Sequence, residues 1–313
     1  MMMRSSYQAL LAATLLLTCV GVVPAQETTL SLAGTWQFRL DPDDVGVKEK
    51  WYAQELQDRV QLPGTTDENH KGIKKDERAI DRLSRVWFWK GPAWYQTHVT
   101  IPQAWAGKRI TLLLERTKHT RVWVDQTFCG WDDTLSAPQM YDVTQALTPG
   151  KHMITVVVDN AKLPPIGPAH AVDERTQTNW NGIVGKMELR ATDAVWLKDI
   201  QVYPNAAKKE ARVRAVIGNI TGKAFAGQVT VACQSINVDN PLLFKTQTLD
   251  VKGDGRETLC ELTYQPGEEV PLWSEFQPAM LRMSLDLNTK AGDQEFSDQR
   301  AVNFGMRDFT RKR

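Results

Sequence analysis

The sequence predicts an all-β protein made of two antiparallel sandwiches in tandem. Three observations carry this. Short runs alternate apolar and polar residues with period two, and turn residues separate them. No long stretch shows the 3.6-residue period of an amphipathic helix. The length of 313 residues suits about two domains.

Residues 95–101 alternate strictly, and residues 109–115 read as a strand buried on both faces. Residues 120–124 and 127–129 flank Asp125-Gln126, the pattern of a tight hairpin. Residues 151–158 follow the turn signal Pro149-Gly150. Tyr141 to Thr144, ahead of Gln145, predicts a single helical turn capped by Asp142 or Thr144. The texture changes near residue 194. Nine of the eleven tryptophans precede it, and only Trp196 and Trp273 follow. Strand-like runs then recur at 195–203, 211–217, 227–233, 246–251, 257–264, 280–287 and 297–304. Seven short strands in roughly 110 residues match an immunoglobulin-like sandwich.

Composition narrows the partners. Hydrophobic residues make up 42% and charged residues 24%, so each sandwich has a core to bury. Lys plus Arg number 38 against 37 Asp plus Glu, with no basic stripe, which argues against nucleic acid as a partner. Residues 1–25 carry one charge, Arg4, then an apolar run and Val23-Pro24-Ala25. This reads as a signal peptide cut after Ala25, so the mature chain is expected to be exported, periplasmic or extracellular, with no membrane span. Thr18 before Cys19 makes a poor lipidation site, so an anchor at Cys19 is not expected.

The remaining cysteines are Cys129, Cys233 and Cys260, an odd number. Cys233 and Cys260 lie in strands of the same half and are candidates to pair; the alternative is three small buried hydrophobes. No Cys or His spacing suits zinc, and Asp132-Asp133 beside Trp131 in a presumed loop falls short of a calcium ligand set. No metal and no cofactor are expected. The five histidines have no recognisable Ser or Cys partner, and His98 and His152 are expected to face solvent from strands. The mixed-charge run 71–78 reads as a solvated loop, and the adjacent Glu268 and Glu269 as a solvated pair.

Several segments together resemble the sugar-binding domain of family 2 glycoside hydrolases, the β-galactosidase and β-glucuronidase group. They are Leu32-Ala-Gly-Thr-Trp-Gln-Phe38, Leu62-Pro-Gly64, Gly91-Pro-Ala-Trp-Tyr95, Val99-Thr-Ile-Pro102, Trp105-Ala-Gly-Lys-Arg109 and Leu112-Leu-Leu-Glu-Arg116. Val122-Trp-Val-Asp125, Tyr141-Asp-Val-Thr144, Val156-Val-Val-Asp-Asn160 and Asn179-Trp-Asn-Gly-Ile183 continue in order. The resemblance implies a jelly roll of the galactose-binding-like type over 27–193 and an immunoglobulin-like β-sandwich over 194–307. The exit Asn303-Phe-Gly-Met-Arg-Asp-Phe309 resembles the last strand before the family's catalytic barrel, so residues 308–313 are expected to begin a barrel of about 250 residues that the chain lacks. Both family carboxylates would lie there, and retaining hydrolysis needs them about 5–5.5 Å apart. No catalytic residue is therefore assigned, and the chain is expected to be inactive alone.

A sugar ring offers an apolar face to an aromatic ring and a rim of hydroxyls to amides and carboxylates. Residues 175–182 have this chemistry, and Gly182 permits a sharp turn. In similar enzymes this loop faces the sugar pocket. The candidate substrate-binding residues are Asn179, Trp180 and Asn181, with Gln177 and Asp173 behind them; the alternative is a packed Trp180 beside asparagines that shape a turn. Trp87, Trp89 and Trp94 offer either a stacking platform or core packing, with packing preferred. The expected partners are a β-glycoside or polysaccharide and a (β/α)8 catalytic barrel. The expected function is the non-catalytic front portion of an exported β-glycosidase. Its rivals are a stand-alone carbohydrate-binding module and a structural partner of a separately encoded barrel.

Overall fold

The structure, a computed structural model, describes residues 28–76, 85–162 and 180–307. The expected signal segment, Cys19 and residues 308–313 lie outside them. Among the described residues, twenty strands run in chain order. The first group is β1 (Thr28–Ser31), β2 (Gly34–Leu40), β3 (Asp58–Leu62), β4 (Gly64–Thr65), β5 (Ile73–Lys74), β6 (Trp87–Phe88) and β7 (Pro92–Ile101). Then come β8 (Arg109–Arg116), β9 (His119–Val124), β10 (Thr127–Asp132), β11 (Gln139–Asp142), β12 (Gly150–Asp159) and β13 (Gly182–Thr192). The second group is β14 (Val195–Asn205), β15 (Glu210–Asn219), β16 (Phe225–Ile236), β17 (Gln247–Gly253), β18 (Glu257–Tyr264), β19 (Met280–Ala291) and β20 (Gln294–Phe304). The protein is all-β, as the alternation predicts.

The first sandwich packs the sheet β1-β13-β8-β11, with β4 added to β13, against the sheet β10-β9-β12-β7-β2-β3. Its core runs from Leu32 to Ala191 and includes Trp36, Phe38, Tyr95, Leu112, Leu114, Val156 and Leu189. The second packs β14-β15-β18 against β17-β16-β19-β20 around a separate core from Val195 to Met306. Val229, Val231, Met283, Leu285 and Leu287 alternate inward along β16 and β19.

The six-stranded sheet is covered on its outer face too. Residues 41–57 wrap over it, and Trp51, Leu56, Trp94, Trp123 and Val157 form a third cluster. Asp41 anchors the wrap: its carboxylate accepts from the Val45 and Gly46 amides and from the Trp94 indole, each at 2.9 Å. Burial on both faces explains why residues 156–158 at the end of β12 are an unbroken valine run.

Tight chain joins the two sandwiches. Asp193 accepts from Lys108 Nζ at 2.7 Å and from the Ser297 amide at 2.9 Å, and the Arg109 guanidinium lies 4.4 Å over the Trp196 ring. A cleft of about 480 Å³ beside this joint is lined by Asp142, Asn219, Asp254 and Arg256, among others.

Three local expectations change, and the open choice for the cysteines resolves. Asp142 does cap a turn, its Oδ1 accepting from the Thr144 amide at 3.1 Å, but Tyr141 and Asp142 belong to β11 and the turn starts at Val143. The run from Lys71 is not a plain loop, because Ile73–Lys74 pair with Trp87–Phe88 as a ribbon and Lys71 bonds Asp58 at 2.6 Å. His152 is mostly covered, because it bonds Asp125 and the Thr148 carbonyl, both at 2.8 Å. Cys233 and Cys260 are both free thiols; burial pushes the Cys233 thiol up to about 12, which keeps it an inert core residue.

Candidate functional site

Strand direction gathers the candidates at one end of the first sandwich. β8 and β12 end there at Arg116 and Asp159, and β7, β9 and β13 begin there at Pro92, His119 and Gly182. The joint to the second sandwich lies at the other end of β8, about 23 Å away at ~3.3 Å per residue. The loop end therefore stands clear of the second sandwich.

Asn181 holds this end together. It is fully buried. Its Oδ1 accepts from the Tyr95 hydroxyl at 2.8 Å, and its Nδ2 donates to the carbonyls of Val158 at 2.8 Å and Gly91 at 3.0 Å. Its own carbonyl accepts from the Thr66 amide at 2.8 Å. The amide is fully buried and bonds strand ends on both its oxygen and its nitrogen, so Asn181 positions the segment. Asn160 works beside it, accepting from the Gly91 amide at 2.9 Å and donating to the Trp89 carbonyl at 2.9 Å. Gly182 follows with φ 143°, and a Cβ there would sit 2.3 Å from the Gly64 carbonyl, so only glycine fits.

Trp180 is half-buried, with Lys118 Nζ 4.3 Å over its ring. Lys118 is itself almost fully covered. Burial pushes its ammonium down to about 8, and the positive charges of Arg85 and Arg116 add to the shift. Arg85 reaches Asp67 at 3.7 Å, and Asp67 also accepts from the Trp87 amide at 2.8 Å. The arrangement joins an indole face to a cluster of cations. It suits a ring with an apolar face and oxygen-rich edges, and it favours an anionic edge. Asn179, Gln177 and Asp173 lie outside the described residues.

The other aromatic candidates separate clearly. Trp94 is fully buried and Trp89 packs against the core, which is the packing reading. Trp87 is half-buried against His70, with ring centroids 5.8 Å apart. Trp131 and Asp132 stand on β10, not in a loop, and Trp131 is 61% exposed. Among the described residues no group of His, Cys, Asp or Glu could hold a metal ion, and no helix is long and apolar enough to cross a membrane.

Nor do the perturbed carboxylates point to hydrolysis. Glu55 is held below the usual range by hydrogen bonds from Gln37 and His98. For Asp58 burial works upward, but the bonds from Lys71 and the Arg59 amide prevail and lower it. A general acid needs the opposite shift. Sequence reasoning missed Lys118, Arg85 and Arg116, because only the folded sheet brings residues 85 and 118 together.

Fold and site thus define a two-sandwich protein with a ring-and-cation cluster at the loop end of its first sandwich. Comparison makes the class specific. The profile of the glycosyl hydrolases family 2 sugar binding domain matches residues 29–192, just over half of the chain. The chain belongs to that family. A β-glucuronidase of Paenibacillus borealis is 28% identical over 190 residues, 55% of this chain and 30% of the relative. Among solved structures, Bacteroides uniformis β-glucuronidase aligns with TM-score 0.67 at 17% identity, over 90% of this chain and 32% of its own. Ruminococcus gnavus β-glucuronidase aligns with TM-score 0.62 at 19% identity, over 91% and 47%. At such identities the structures establish the shared fold. The chain spans less than half the length of each of these three relatives.

Proposed function

We propose that this chain is the sugar-handling front portion of an exported β-glucuronidase-like glycosidase, and that its loop end helps shape the sugar pocket. The observation that carries this reading is the Trp180 ring beneath Lys118, set at the end of the domain that matches the family. With one face of its ring under Lys118, Trp180 offers the other to the apolar face of the sugar ring. Lys118, Arg85 and Arg116 supply the positive field that a uronate carboxylate favours. Asn181 and Asn160 hold the strand ends that position them.

Bond cleavage is the task of a (β/α)8 barrel, where two opposed carboxyl groups would act. The two sandwiches support that barrel and complete its pocket. The purified chain is expected to leave 4-nitrophenyl β-D-glucuronide unhydrolysed. Sequencing the locus past the Arg313 codon is expected to reveal a barrel-coding stretch, in frame or shifted. Hydrolysis that survives rigorous purification would contradict the division of labour, and a locus with no such stretch would favour a free-standing binding module.

A further inference from the structure

The outer face at the edge of the six-stranded sheet carries a feature that the loop-end pocket does not use. β10 is the edge strand, paired with β9. Residues three apart on a regular strand point to opposite faces. Here the register shifts between Phe128 and Gly130, so Phe128 stands across from Trp123 and Trp131 across from Arg121. Trp123 and Arg121 share the outer face, so the bulge brings Phe128 and Trp131 to that face together. Gly130, at φ 130°, supplies the backbone conformation.

Both rings are open to solvent, Trp131 at 61% and Phe128 at 51%. By register they stand about 7 Å apart along the strand. Each is braced from behind. Trp131 stacks on His119 with centroids 5.7 Å apart and planes at 19°. Phe128 leans on Trp123 at 5.1 Å, and Trp123 stacks in turn on Trp94 and Tyr52. Bracing fixes the ring orientations before a ligand arrives, which lowers the ordering cost of binding.

The rim is polar and of both signs. Arg121 reaches Asp44 at 3.5 Å, and Lys162 reaches Asp44 at 3.9 Å and Asp159 at 3.5 Å. Lys162, Asp159, Arg121 and Asp133 all act electrostatically on His119, whose imidazole is pushed down mainly by burial. A neutral imidazole is a good stacking partner for the indole. Two exposed rings set among donors and acceptors of both charges match the alternating apolar faces and hydroxyl rims of a sugar chain. A protein-docking patch would show a broader apolar area with fewer charges at its centre.

We propose that the outer face of the β9–β10 hairpin is a glycan-stacking platform that takes an extended β-linked oligosaccharide along β10, with Trp131 and Phe128 as its floor. The platform does not depend on the role given to Trp180. Calorimetric titration of the full chain with hexasaccharides of β-1,4-xylan, β-1,4-galactan and β-1,4-glucan tests it. Saturable binding of at least one is expected. Trp131→Ala should weaken it about tenfold and Phe128→Ala about threefold, while Trp131→Phe retains most of it and Phe276→Ala, at an exposed ring of the second sandwich, leaves it unchanged. Both substituted side chains are exposed, and matching thermal melts would show that the variants fold. Flat titrations with all three sugars, wild-type affinity in Trp131→Ala, or equal loss in Phe276→Ala would overturn the proposal. So would light scattering that shows a dimer lost on Trp131→Ala.

Discussion

The two sandwiches solve the same packing problem with different materials. In the second, strands such as β16 and β19 alternate buried and open residues, because one face meets the core and the other meets solvent. In the first, residues 92–96 of β7 and 154–159 of β12 are buried on both faces, because the wrap of residues 41–57 packs Trp51 and Leu56 against Trp94 and Trp123 on the outer side. The second sandwich is held mainly by aliphatic side chains, with Phe225 and Tyr264 as its buried rings. The first is held by large rings and by buried amides with assigned partners. Rings and amides are also what a sugar site uses, so the chemistry-bearing residues concentrate in the first sandwich and at its loop end.

This contrast can be broken by mutation. Trp94→Ala removes a fully buried ring, its bond to Asp41 and two aromatic neighbours. It should cost about 3–5 kcal/mol. In denaturant, tryptophan fluorescence should show early loss of the first sandwich. Leu285→Ala should cost about 2–4 kcal/mol in the second. Only Trp196 and Trp273 report on that region, so its transition should move in circular dichroism more than in fluorescence. If both signals move together, the Asp193 joint couples the two units into one cooperative body.

Smaller changes sharpen the account of the loop end. Asn181→Ala takes the acceptor from the Tyr95 hydroxyl and one donor each from the Val158 and Gly91 carbonyls, the latter keeping its bond from the Trp89 indole, at a cost of about 2 kcal/mol in chemical unfolding. Were Asn181 a ligand contact alone, stability would be unchanged. The Lys118 ammonium, at about 8 in the folded chain, titrates below its unfolded value of ~10.4. Between those pH values the unfolded chain binds more protons, so stability should rise with pH across that window. Lys118→Met should remove this rise; an unchanged pH profile in the variant would show that another group causes it.

Much of this architecture was legible in sequence. Alternation locates most of the strands, and Asp125-Gln126 marks the hairpin where Val124 and Thr127 pair. What escaped depends on contacts distant in sequence. The wrap of 41–57 has no strand or helix period, so nothing announces that it covers β7 and β12. Trp131 reads as a loop residue because Gly130 and Asp132 are turn-formers, yet the bulge keeps it on β10. Asn181 reads as a sugar contact because an amide that pins strand ends and one that binds hydroxyls are the same side chain. Only the fold shows the strand ends it pins.

The most direct test follows the eleven indole N–H signals of 15N-labelled protein as a β-linked glucuronide oligosaccharide is added. The account predicts shifts at Trp180 and Trp131, with Trp196 and Trp273 unmoved. Shifts confined to Trp196 and Trp273, or none at any indole up to saturating sugar, would contradict it.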